Sequence, residues 1–192
     1  MIDNKKKELR FLTTIQARMN SSRLHGKVCL EFEKSKNTLE ILIDRLKNSK
    51  YANKILIATT TKKNDDKIVR IAKKRKCLYY RGSEKNVLQR LVNATEMNNV
   101  NSIIQLTGDN PFIDPLIIDY IVEFFKKHYP KYDYVTNNNL FDKKKSVPLG
   151  MIVSVFKAQS LKKISKLANK QEHFEHPSLY FYQEGKKKFK IK

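Results

Sequence analysis

One stretch of this chain gathers groups suited to binding a polyanion. It reads Gln16-Ala17-Arg18-Met19-Asn20-Ser21-Ser22-Arg23-Leu24-His25-Gly26-Lys27, with three cations and two hydroxyls directly after a short apolar run, Phe11–Gln16. Arginine forks bind phosphate oxygens in pairs, and backbone N–H groups of a serine-rich turn add further donors. The loop is neither a G-x-G-x-x-G turn nor a Walker A loop, because the required glycines are absent. On charge alone it reads equally as a solvated basic loop.

A second stretch, Thr107-Gly108-Asp109-Asn110-Pro111-Phe112-Ile113-Asp114, also follows an apolar run. Gly108 permits a tight turn there. Asp109 supplies a hard carboxylate, the kind of oxygen that holds Mg²⁺ together with substrate phosphates. Read alone, Asp109 is equally a turn-stabilising aspartate. Asp114 precedes Pro115 and a helical pattern, so it is expected to cap a helix rather than hold metal.

The elements that would position these loops alternate. Strand patterns fall at Phe11–Gln16, Lys54–Ala58, Leu78–Tyr80, Ser102–Leu106 and Tyr132–Thr136. Between them, helical spacing recurs at Leu39–Leu46, Asp65–Ala72, Val87–Thr95 and Pro115–Phe125. The alternation predicts an α/β fold, a doubly wound and mostly parallel sheet, within a single domain over residues 1–192. In such sheets ligands sit beyond the carboxyl ends of the strands. That places the chemistry at Ala17–Lys27, Thr59–Asp66, Arg81–Asn86 and Thr107–Asp114. Further on, Asn137–Val147 reads as a loop, Met151–Phe156 as a strand and Ser160–Leu167 as a helix.

Composition narrows the classes. Of 192 residues, 40% are hydrophobic and 31% charged, as in a soluble globular protein. No apolar run approaches the length of a membrane span, and Met1–Arg10 lacks the apolar core of a signal peptide. Two cysteines, Cys29 and Cys77, suggest core packing in a reducing compartment, and the expected location is the cytoplasm. The formal net charge of +21 raises nucleic-acid binding as an alternative. The lysines, however, are spread from Lys5 to Lys192 without interleaved aromatics, so a solvated lysine surface is the plainer reading.

Taken in order, four motifs carry a resemblance. They are Gln-Ala-Arg-x-x-Ser-x-Arg-Leu-x-Gly-Lys from Gln16, Ala-Thr-Thr with Asp65-Asp66 following, Arg-Gly-Ser with Val-Leu-x-Arg ending at Arg90, and Thr-Gly-Asp-x-Pro-x-Ile-Asp from Thr107. Together they resemble the cytidylyltransferases of the SpsF type, themselves similar to the CMP-Kdo and CMP-sialic acid synthetases. The resemblance runs from about Phe11 onward. It implies transfer of CMP from CTP to a sugar for surface polysaccharide or glycoconjugate biosynthesis, with Mg²⁺ as cofactor and pyrophosphate released. It implies that Arg18, Ser22, Arg23 and Lys27 hold the triphosphate and that Ala17 lies near the base. Arg81 and Gly82 would line the nucleotide or sugar side, Asp109 would bind Mg²⁺, and Glu172 and His173 would lie near the sugar. Arg18, Lys27 and Asp109 would carry catalysis. The resemblance also makes a homodimer an expectation.

The sequence departs from that pattern in places. A second acidic metal ligand, expected near the end of the domain, has no counterpart before Lys192, as in a chain shortened at that end. Pro148–Ser154 lacks three carboxylates of the pattern, Gln105 stands in place of Arg, Asn86 in place of Asp, and Gln171 in place of Arg. A single carboxylate should bind metal more weakly than two. A catalytically degenerate nucleotide-binding homologue is therefore the alternative to an active enzyme, with a basic nucleic-acid-binding protein third. His173 and His176 lack further ligands for zinc, so a His–carboxylate hydrogen bond is expected there.

Overall fold

The computed structural model describes residues 8–21, 23–33, 35–138, 147–148 and 150–192. Its main sheet has six strands: β1 (Phe11–Gln16), β4 (Ile55–Thr60), β5 (Leu78–Gly82), β6 (Ser102–Thr107), β7 (Tyr134–Thr136) and β8 (Ser154–Lys157). They lie in the order β5-β4-β1-β6-β8-β7. β5, β4, β1 and β6 run parallel, while β8 is antiparallel to both β6 and β7. A small antiparallel hairpin, β2 (Glu31–Glu33) and β3 (Lys36–Asn37), stands apart from this sheet.

The helices are α1 (Thr38–Leu46), α2 (Asp66–Lys74), α3 (Val87–Asn98), α4 (Pro115–Lys127), α5 (Ala158–Leu167), α6 (Gln171–Glu175) and α7 (Pro177–Tyr182). Alternation along each strand sends neighbouring residues to opposite faces. Thus Ile15, Ile57, Ile104 and Leu106 join α1, α2 and α4 in one core through Leu42, Ile68 and Val122. Ile103 and Phe156 join α3, α5 and α7 in a second core through Leu91, Leu161 and Phe181. Leu12, Leu56 and Ala58 meet Ala94 of α3 on that second face. Layers on both faces explain why β4 is buried at every position and why its Ile55–Ala58 reads as one apolar run.

Local chemistry sets the helix starts. Asn37 and Glu40 form a reciprocal capping box on α1. Asn86 accepts from Gln89 N–H at 2.8 Å to cap α3. Asp114 caps α4, accepting from Leu116 N–H at 2.8 Å, with Pro115 in the first turn where its missing N–H costs nothing. The predicted cap is the observed one.

Most expected elements shift only at their ends. The strand expected over Met151–Phe156 is Ser154–Lys157, and its reversed direction was not anticipated. The hairpin Glu31–Asn37 and the helices α6 and α7 were also not anticipated. Of the expected loop Asn137–Val147, residues 139–146 lie outside the described residues. At the chain's end, Ile191 bridges in parallel to Tyr134, and Lys192 N–H donates to Tyr134 C=O at 3.1 Å.

Candidate nucleotide site

Register places the two chemically promising loops side by side. Gln16 at the end of β1 is level with Ala58 on β4 and Thr107 on β6. The segments after Gln16 and Thr107 therefore leave the same edge of the sheet, at the carboxyl ends of parallel strands. Gly108 N–H donates to Gln16 C=O at 2.8 Å. A Cβ on Gly108 would sit 3.0 Å from that oxygen and 3.1 Å from Ala17 Cβ, so glycine is what lets the two loops close.

Between them lies a cavity of about 320 Å³. The first loop lines it with Gln16, Ala17, Arg18, Ser21, Arg23, Lys27 and Val28, and the β6 side adds Gln105, Thr107 and Asp109. Val87 and Arg90 of α3 form a further wall, and Glu175 and His176 reach in from the end of α6.

Lys27 Nζ donates to Asp109 Oδ2 in an ion pair across this cavity. Burial by itself would raise the Asp109 carboxyl. The hydrogen bonds from Lys27 and Thr107, with the Lys27 charge, outweigh it and hold the group below the usual carboxylate range. Asp109 is thus ionised at neutral pH and presents a hard oxygen beside a cation.

Two buried charged residues brace the loops. Asp65, 2% exposed, ends the 3-10 turn Lys63–Asp65. Its Oδ1 accepts from Met19 N–H at 2.7 Å, and its Oδ2 accepts from Thr60 N–H at 3.3 Å and from the Thr60 hydroxyl. It thereby fixes the basic loop to the end of β4. Arg90, 3% exposed, donates to Gln16 Oε1 at 2.9 Å and to the carbonyls of Ser83 and Glu84. Burial, and next the nearby Arg18 charge, bring its guanidinium down to about 10. A Cβ on Gly82 would lie 2.8 Å from Arg90 Cγ, so Gly82 makes room for this side chain.

The structure brings Ala17, Arg18, Arg23, Lys27 and Asp109 to one cavity. Ser22 lies outside the described residues. Arg81 and Gly82 do not line the cavity. The Arg81 guanidinium instead donates to Thr60 C=O and Lys62 C=O, both at 2.8 Å, and to Asp66 Oδ1 at 2.5 Å. Glu172 and His173 stand one helical turn short of the lining residues. His173 is fully buried, and its Nε2 meets Gln183 Oε1 at 2.6 Å while Glu172 lies 3.9 Å away. The expected His–carboxylate hydrogen bond is therefore corrected to a His–carboxamide one, because α7 brings Gln183 to the ring. Asp65 and Glu175 were not assigned roles from sequence, and His176 was expected only in a hydrogen bond to a carboxylate. Asp65 was visible within the Asp-Asp motif, whereas no periodicity marked the other two.

A mostly parallel α/β sheet with a cation-lined cavity and an ionised aspartate at its carboxyl edge defines a fold of the nucleotidyltransferase kind. Comparison with known proteins makes this specific. The family model described as cytidylyltransferase matches residues 12–191, and the chain belongs to that family. It is 37% identical over 174 residues to spore coat polysaccharide biosynthesis protein SpsF of Bacillus subtilis, covering 88% of this chain and 68% of the relative. It is also 37% identical over 175 residues to an uncharacterized protein of Methanocaldococcus jannaschii, covering 91% of this chain and 68% of that one. Among solved structures, a cytidylyltransferase from Leptospira borgpetersenii superposes with a TM-score of 0.88 at 33% identity, covering 96% of this chain and 75% of its own. CMP:2-keto-3-deoxy-manno-octonic acid synthetase complexed with CTP superposes with a TM-score of 0.73 at 16% identity, covering 95% and 88%, and shares the fold. Among the described residues no helix is long and apolar enough to cross a membrane.

Proposed function

We propose that this chain transfers a cytidylyl group from CTP to a sugar destined for surface polysaccharide or glycoconjugate, releasing pyrophosphate. The observation that carries the reading is the Lys27–Asp109 ion pair, set in a cation-lined cavity at the carboxyl edge of the parallel strands. The relatives named SpsF and CMP:2-keto-3-deoxy-manno-octonic acid synthetase support the substrate class.

In this reading Lys27 turns from Asp109 to the triphosphate, and Arg18 and Arg23 at the cavity rim take further phosphate oxygens. A sugar oxygen attacks the α-phosphorus in line, and the bond to the bridging oxygen of pyrophosphate breaks. Catalysis is positioning plus charge neutralisation, and no covalent nucleophile is required.

Magnesium fits the donors present. Asp109 offers one ionised carboxylate, and Mg²⁺ is held by one or two carboxylates with substrate phosphates and water. Among the described residues no three His, Cys, Asp or Glu side chains gather into a metal cluster. Asp109 would therefore share the ion with the triphosphate, where it offsets phosphate charge. Two free thiols, Cys29 and Cys77, support a cytoplasmic setting.

Calorimetric titration of CTP with and without Mg²⁺, on this chain and on Asp109→Ala, tests the site. Binding that strengthens with Mg²⁺ and loses that gain in the variant is the expected result. Pyrophosphate release on adding a panel of acidic and neutral sugars then tests turnover. CTP binding without release from any sugar would make the chain a nucleotide-binding homologue, and absence of CTP binding would overturn the reading altogether.

A further inference from the structure

A second hollow, of about 370 Å³, opens between α2 and the 3-10 turn Lys27–Cys29, apart from the nucleotide cavity. Its cations come from one stripe of α2. Lys67, Arg70 and Lys74 stand three and four residues apart, so they share a helix face. Cys29, Ser35 of the turn between β2 and β3, and Glu40 of α1 also line it.

The charge balance of this hollow is one-sided. Glu40 is the one carboxylate among its described lining residues, and it is 2% exposed. Both its oxygens are taken. Oε1 meets Lys74 Nζ at 3.0 Å and Arg75 Nε at 3.2 Å, and Oε2 accepts from Asn37 N–H at 3.3 Å and Asn37 Nδ2 at 2.9 Å. Lys67 and Arg70 are exposed, and their side chains make no ion pair or hydrogen bond among the described residues. Other surface lysines, such as Lys36, Lys62 and Lys162, do find carboxylate partners. Two cations one helical turn apart, one of them a guanidinium fork, form a donor set suited to phosphate oxygens. The half-buried Cys29 thiol senses both: burial pushes it up, and the Lys67 and Arg70 charges pull it back.

We infer that this hollow is an effector site for a small phosphorylated ligand, with Lys67 and Arg70 taking the phosphate oxygens and the Ser35 hydroxyl adding a donor at the rim. Its volume of about 370 Å³ suits a phosphate ester of metabolite size. The effector role follows from what flanks the hollow. The turn that carries Cys29 begins at Lys27, the partner of Asp109. Helix α2 begins directly after Asp65, which anchors Met19 N–H of the basic loop. A phosphate that draws α2 toward Ser35 and Cys29 therefore braces both ends of that loop. It favours the loop arrangement that holds the triphosphate, so each ligand strengthens the other's binding by the same factor. The site stands on its own residues, and only its coupling to CTP rests on the cytidylyl reading.

The test uses Cys77→Ser as the background, which leaves Cys29 as the sole thiol, and follows its reaction with an aromatic disulfide reagent at constant ionic strength. Inorganic phosphate and glucose 1-phosphate are the probes, with chloride as the control. Phosphate should slow labelling at least about three-fold and saturate, because an anion on Lys67 and Arg70 cancels the charges that favour the thiolate. Arg18→Ala, altered in the nucleotide cavity, should keep that protection. Lys67→Gln/Arg70→Gln changes two exposed, unpaired side chains, so it should fold and lose the protection. Saturation by glucose 1-phosphate at lower concentration than inorganic phosphate supports an organic phosphate as ligand, and the reverse supports free phosphate. No slowing, equal slowing by chloride, or equal protection in the double variant overturns the proposal. Calorimetric titration of CTP with and without the better probe then reads the coupling. The gain in affinity, taken relative to the double variant so that competition within the cavity cancels, should be at least about five-fold. No gain while Cys29 is protected overturns the effector role. A chain that binds no CTP at all fails the cytidylyl reading, and the thiol assay still decides the hollow.

Discussion

Replacing Asp65 by asparagine should weaken CTP binding without touching a cavity-lining residue. The carboxylate accepts from Met19 N–H, Thr60 N–H and the Thr60 hydroxyl, and it is buried. Asparagine preserves the shape but has one acceptor oxygen. Whichever way the amide turns, its NH₂ faces a backbone N–H, at Met19 or at Thr60. One charge-assisted bond is lost and one buried donor is orphaned, a cost of about 1.5–3 kcal/mol. For a chain of this size that lowers Tm by roughly 3–12 °C. Met19 sits between Arg18 and the following Asn20-Ser21, so the same energy holds the basic loop in place. If all of it served to select the binding-competent loop, CTP affinity would fall by about 10- to 150-fold, an upper bound. Thr60→Val is the control, because it removes only the hydroxyl and leaves Met19 anchored. It should cost about 1 kcal/mol and leave CTP affinity unchanged. Differential scanning calorimetry and isothermal titration read the two effects separately. A wild-type Tm in Asp65→Asn would refute the energetic reasoning. A lowered Tm with unchanged CTP affinity would reduce Asp65 to a brace of the fold.

Gly108→Ala places a Cβ 3.0 Å from Gln16 C=O and 3.1 Å from Ala17 Cβ, so it should cost about 1–3 kcal/mol in thermal unfolding and weaken CTP binding measured by titration. Asp114→Ala removes the cap of α4, and a loss of about 1 kcal/mol, or roughly 2–4 °C in Tm, with unchanged CTP affinity is expected from calorimetry. Asp133 is pulled in two directions, burial raising its carboxyl and the bonds from Lys190 N–H, Ser160 and Lys157 lowering it further, so its folded pKa lies below the unfolded one. Its contribution to stability is complete above the ordinary carboxylate pKa of about 4 and is lost as pH falls through the depressed value, so urea unfolding from pH 7 to pH 3 should show a shallower acid loss in Asp133→Asn than in wild type.

The sheet was legible where burial on both faces leaves a plain mark. Lys54–Ala58 and Ser102–Leu106 read as strands because helices cover them on either side, and the helices read through their apolar spacing. The direction of β8 was not legible, because it depends on the path of the chain across the preceding loop rather than on the residues of the strand. The Glu31–Asn37 hairpin was missed because its strands are too short for alternation to register. Within the site, the loops after Gln16 and Thr107 could be placed from sequence, since the carboxyl edge of a parallel sheet is where ligands gather. Arg81 was expected at the site from the resemblance alone; in the structure its donors are taken up by the turn after β4. The weight carried by Asp65 rests on a contact between residues 46 positions apart, and no local pattern encodes that.

The net charge of +21 and the cavity cations have different consequences, and the structure separates them. Scattered surface lysines form exposed pairs such as Lys162–Glu96 and Lys36–Asp44, which contribute little to stability and are screened by salt. Their summed field attracts any polyanion and speeds encounter without choosing among ligands. Selection needs groups held in fixed places. Lys27 is held by Asp109, Arg18 leaves a loop tied down by Asp65, and Arg90 is clamped by two carbonyls and Gln16. Each of those anchors is partly or fully shielded from water, where charge interactions are stronger and less sensitive to salt. Raising ionic strength should therefore slow CTP association more than it speeds dissociation, because the diffuse field governs arrival and the anchored groups govern retention.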